Sequence, residues 1–104
     1  MIQYNVELTK KAEKDIYDII KYIEIELQEP NIAKNIYQKI NNNIMNLNIN
    51  PMKYPLVDDF IIKRVGLRKI SIDNYIILYK VFESEKTVQI VKIVSDKRNW
   101  MKML

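Results

Sequence analysis

Cysteine and histidine do not occur among the 104 residues of this chain, and glycine occurs once. Without thiols there is no disulfide scaffold and no thiolate nucleophile or metal ligand. Without imidazole, a typical zinc site and histidine acid–base catalysis are excluded too. No metal and no cofactor are therefore expected. The missing cysteine suits a reducing cytoplasm. No apolar run approaches the roughly 20 residues that span a bilayer. The segment 1–8 carries Glu7 and has no long apolar centre, so it does not read as a signal peptide. A cytoplasmic chain with no membrane partner is the expectation. One glycine and three prolines leave few turn markers, which predicts short connections.

What remains for chemistry is positive charge, tyrosine and carboxylate. The net charge is +4. Residues 1–57 hold seven lysines against seven acids, so the whole excess lies in residues 58–104, together with all three arginines. Lys63, Arg64, Arg68, Lys69 and Lys80 stand close together in sequence against Asp73 alone. A one-sided field of this kind suits an anionic partner, nucleic acid or an acidic protein.

The length is that of a single domain, 1–104. Ile2, Tyr4, Val6 and Leu8 alternate with polar residues and predict a half-buried strand. Thr9 is placed to cap a helix over about residues 10–27, in which Ala12, Ile16, Ile19, Ile20, Ile23 and Leu27 keep a spacing of three and four. Pro30 opens a second helix, with Ala33, Ile36, Tyr37, Ile40, Ile44 and Leu47 along one side. The short connection predicts an antiparallel helical hairpin. Six asparagines between positions 41 and 50 weaken the end of that helix, and Pro51 and Pro55 stop it. Four strands are expected next, at about 60–65, 67–73, 75–82 and 87–94, and a short helix from Asp96. Strands 75–82 and 87–94 are apolar on both faces, which fits central strands or a face kept for a partner. The fold class is α+β, β-α-α-β-β-β-β-α, with a helical hairpin packed on an antiparallel-rich sheet.

The runs Tyr4-x-Val6-x-Leu8-Thr9-x-x-Ala12-x-x-Asp15, Pro51-x-x-x-Pro55-Leu56, Gly66-x-Arg68, Asn74-Tyr75-x-Ile77-x-Tyr79-x-Val81, Val91-x-Ile93 and Lys97-Arg98-Asn99-Trp100 follow one another in this order. Together they resemble the RelE/ParE superfamily, the toxins of bacterial type II toxin–antitoxin pairs, over essentially the whole chain. The resemblance implies a small toxin silenced by a cognate antitoxin protein. The activity expected from it is that of a RelE-like, metal-independent messenger RNA endonuclease working at the ribosome, and the alternative is a ParE-like inhibitor of DNA gyrase that is not a nuclease. An inactive domain that only binds an antitoxin is the third possibility.

For RNA cleavage, the 2′-OH attacks the adjacent phosphate, cations stabilise the phosphorane, and a base and an acid move protons. The resemblance assigns Arg68 and Arg98 to the phosphate, with Lys63 or Arg64 in support and Asp59 or Asp58, or else a lysine of lowered pKa, as base. Arginine suits that role because its planar fork binds phosphate bidentately. Arg64, Lys69 and Lys97 are expected on the RNA backbone, and Tyr75 as a stacking surface. The competing reading packs Tyr75 and Tyr79 in the core, pairs Arg68 with Asp58, Asp59 or Asp73, and leaves the lysines solvated. Ser95 stands where nuclease relatives carry tyrosine or histidine, and serine is a poor general acid at neutral pH.

Overall fold

The computed structural model describes residues 3–57 and 65–97. Strand β1 (Asn5–Leu8) leads into helix α1 (Lys10–Lys21), a π-helical turn at Tyr22–Glu26, and helix α2 (Pro30–Met45), which tightens into a 3-10 turn at Asn46–Asn48. Strands β2 (Leu67–Ile72), β3 (Tyr75–Phe82) and β4 (Thr87–Ser95) follow. The expected strand over about 60–65 and most of the expected closing helix fall outside the described residues. Asp96 and Lys97 form a turn.

Thr9 caps α1 as its position predicts: its hydroxyl accepts the Ala12 N–H at 3.0 Å. The helix changes pitch before residue 27. Leu27 N–H donates to the Tyr22 carbonyl, an i to i−5 bond that defines a π-turn. Gln28 then adopts φ +53 and reverses the chain, and Pro30 occupies the first turn of α2, where its missing N–H costs nothing. The two helices thus form the predicted hairpin.

The sheet order is β1-β4-β3-β2. β2 with β3 and β3 with β4 are antiparallel hairpins, whereas β1 lies parallel to β4. Parallel pairing requires a crossover, and the helical hairpin supplies it. Ala12, Ile23, Ala33, Ile36, Ile40, Ile44 and Leu47 from the helical segment pack on Ile70, Ile72, Ile77, Tyr79, Val88, Ile90 and Ile93 of the sheet. Leu67, Ile76, Leu78 and Val94 face the other way and cluster with Val57 and Val91. The central strands are apolar on both faces because each face has its own cluster.

Candidate functional site on the sheet

Cross-strand partners share a face of the sheet, so the register sorts the candidates. Arg68 is paired with Tyr79, and Ile70 with Ile77. Arg68 therefore lies on the helix side of β2, in line with the core residues Ile70 and Ile72. There its Nη1 donates to the Tyr54 carbonyl at 2.7 Å and to the Met52 carbonyl at 3.2 Å. Beside it the Tyr79 hydroxyl donates to the Pro51 carbonyl at 2.6 Å. Tyr79 is fully buried, and burial pushes its hydroxyl up to about 12, against a smaller lowering by the Arg68 charge. Backbone bonds complete the junction: Val57 N–H to the Leu67 carbonyl at 2.8 Å and Lys69 N–H to the Pro55 carbonyl at 3.2 Å. Arg68 and Tyr79 thus clamp the proline-bounded loop onto the sheet. Asp73, offered from sequence as a partner of Arg68, pairs with Lys39 of α2 at 3.2 Å instead.

Lys69 projects to the opposite, back face. It is paired with Leu78, which is paired in turn with Lys92, so Lys69, Leu78 and Lys92 form one row across three strands. Lys80 lies on the same face beside Leu67, with its ammonium 5.1 Å from the Phe82 ring centre. Lys69 and Lys80, both half-buried, and the buried Lys92 thus border the buried cluster of Leu67, Ile76, Leu78 and Val94. Sequence reading named Lys69 but not Lys92. The signal available was the charge excess of residues 58–104; what it lacked was the register.

Tyr75 sits on the helix side at the far end of β3, four residues and about 13 Å along the strand from Tyr79. With Tyr22, Lys11, Asp15, Ile93 and Ser95 it lines a cleft of about 580 Å³. Burial, and then the neighbouring Tyr22, raise its hydroxyl pKa above the usual tyrosine value. Ser95 Oγ accepts the Lys97 N–H at 3.3 Å and so serves the turn after β4, while Lys97 is exposed. The described candidates do not converge on one point: Arg68 and Tyr75 share the helix side at separate places, and Lys69 faces away from both. Asp58, Asp59, Lys63, Arg64 and Arg98 lie outside the described residues. Among the described residues no acidic cluster is arranged to hold a metal ion, and no helix is long and apolar enough to cross a membrane.

Residues 6–100 match the family model described as the ParE toxin of the type II toxin–antitoxin system parDE. No curated protein matches the chain. Among solved structures, the chromosomal ParDE toxin–antitoxin system of P. aeruginosa aligns at 18% identity with a TM-score of 0.73, covering 91% of this chain and 98% of that one. A mutant of the E. coli toxin RelE in the free state aligns at 10% identity and TM-score 0.68, covering 97% and 92%. The archaeal RelE–RelB complex of Pyrococcus horikoshii aligns at 16% and 0.63, covering 92% and 98%. At these identities the likeness speaks for the fold: two helices on a mixed sheet.

Proposed function

The chain belongs to the ParE toxin family of type II toxin–antitoxin systems, and we propose that it is the toxin of such a pair, silenced by a cognate antitoxin, and that it arrests growth by binding DNA gyrase rather than by cutting RNA. The solved relatives include toxin–antitoxin complexes, which supports the antitoxin. Arg68 carries the choice of target. A nuclease site must bring its phosphate-binding cations together with an acid and a base around one phosphorus. Here the arginine best placed by the family motif is spent on two loop carbonyls, on the opposite face from Lys69. Ser95, at the position of a general acid, accepts a backbone N–H.

Inhibition by binding needs no proton transfer. It needs a surface, and the half-buried Lys69 and Lys80 put positive charge at the margin of the back face. Such cations fit a partner that is acidic or holds DNA, because they steer the encounter. The test is expression without antitoxin, followed by separate readings of the SOS response and of messenger RNA ends. The proposal expects growth arrest with SOS induction and intact messages. In-frame cuts in messenger RNA without SOS induction would return the protein to the nuclease class.

A further inference from the structure

β1 stands at one edge of the sheet. Successive residues of a strand turn their N–H and C=O groups to opposite sides. Asn5 N–H donates to the Lys86 carbonyl at 2.8 Å and Thr9 N–H to the Ile90 carbonyl at 3.0 Å, so Asn5, Glu7 and Thr9 turn theirs toward β4. Tyr4, Val6 and Leu8 turn theirs outward. Tyr4 N–H shows that direction, because it donates at 2.7 Å to the Asn48 carbonyl, outside the sheet. The Val6 N–H and C=O, the Leu8 N–H and the Tyr4 C=O meet no protein group among the described residues. An exposed row of main-chain donors and acceptors is a template for another strand.

The side chains sort by face. Tyr4, Val6 and Leu8 are half-buried and pack against the helix-side core, while Asn5 and Glu7 are exposed on the back face. Beside the end of the strand, Leu8, Ile16, Tyr37, Ile40, Ile44 and Met45 line an apolar groove of about 210 Å³. Tyr37 is 48% and Met45 55% exposed. Open main-chain groups next to an apolar margin fit a protein strand rather than a small polar ligand.

We propose that a second copy of this chain occupies this edge, its β1 lying antiparallel to the first about a two-fold axis at Val6. The other symmetric registers fail on this chain's own groups. Pairing about Tyr4 or Asn5 needs the Tyr4 N–H, which Asn48 already engages. Pairing about Glu7 sets two carboxylates directly opposite each other, a destabilising pair. Pairing about Leu8 runs into α1, which begins at Lys10. Pairing about Val6 lets the two Val6 residues exchange both bonds, and carries each Leu8 N–H to the Tyr4 carbonyl of the other copy. It also sets each Glu7 carboxylate opposite the Asn5 amide of the other copy, a complementary acceptor and donor. The same patch serves both copies, so the contact closes at two. The two four-stranded sheets become one, with β2 at both outer ends.

Sedimentation velocity of the purified chain across micromolar concentrations tests it, with amide exchange read in parallel. The expected result is a reversible dimer in which the Val6 and Leu8 amides are protected, and lose that protection on dilution. Val6→Pro removes an exchanged donor. Because that N–H faces away from β4, the β1–β4 ladder stays intact, and the variant should be a folded monomer. Asn5→Glu, at an exposed position, sets like charges opposite each other and should weaken the dimer about two- to thirtyfold, since each pair occurs twice across the axis. Asn5→Lys places a cation opposite Glu7 and should tighten it by a similar factor. These two exposed changes keep the test decisive should Val6→Pro not fold. A monomer at every concentration, or a dimer whose dissociation constant none of the changes moves, would overturn the proposal. Protection of the Val6 amide that appears only on adding antitoxin would assign the edge to an antitoxin strand and overturn it as well.

Discussion

Arg68 Nη1 donates to the Tyr54 carbonyl at 2.7 Å, so the arginine that the family motif offers to a phosphate closes a loop inside the protein. A hydrogen bond from a charged donor to a carbonyl contributes about 1.5–3 kcal/mol, and a carbonyl left unsatisfied costs a similar amount. Arg68→Ala is therefore expected to destabilise the chain by about 2–3 kcal/mol, read as a lower urea midpoint with little change in slope. Toxicity per folded molecule should survive. A stable Arg68→Ala protein without toxicity would show that the guanidinium works on the target after all.

Tyr79→Phe removes one donor and leaves the Pro51 carbonyl unpaired beneath the loop. The expected loss is about 1–2 kcal/mol, measured by the same denaturation. The ring stays in place, so the sheet register should be unchanged by amide exchange.

The same tyrosine sets a pH dependence. An unfolded tyrosine ionises near 10, whereas Tyr79 in the fold is raised to about 12. Below pH 10 both states carry the neutral phenol and its contribution to stability is complete. Between 10 and 12 the unfolded chain releases a proton that the native state keeps, so stability falls as pH rises. The shift corresponds to about 2–3 kcal/mol. Ultraviolet titration together with melting temperatures over this window should show the decline, and Tyr79→Phe should remove it.

Much of this fold was legible because its signals are local. The Thr9 cap, the Ala12 and Ile23 helix face, Pro30 at a helix start and the strand Tyr75–Phe82 all follow from neighbours in sequence. The π-turn at Tyr22 carries no glycine or proline to announce it. The parallel pairing of β1 with β4 joins Asn5 to Thr87, a contact that no short pattern encodes. The bulge in β4, where Tyr79 pairs with Ile90 and Leu78 with Lys92, hides in an apolar run where either parity looks acceptable, and only the buried Ile93 and the charge on Lys92 decide it. A clue to the place of Arg68 was present too. Arg68 stands two and four residues before Ile70 and Ile72, both core residues, which assigns it to the core side of β2.

Lys69 and Lys80 provide the contrast with Arg68. Both are half-buried at the margin of the back face, where replacement by alanine is expected to change stability by less than about 0.5 kcal/mol. Each should nevertheless weaken target binding, about two- to tenfold, and more at low salt than at high salt because the interaction is screened. Binding measured over a range of ionic strength checks this. Unchanged affinity in the double variant would remove the back face from consideration.

The most direct measurement is gyrase supercoiling with the purified chain, run beside a translating extract in which messenger RNA ends are mapped. The account predicts that the chain blocks supercoiling, that added antitoxin reverses the block, and that messages stay intact. Cleaved messages with supercoiling unaffected would contradict it.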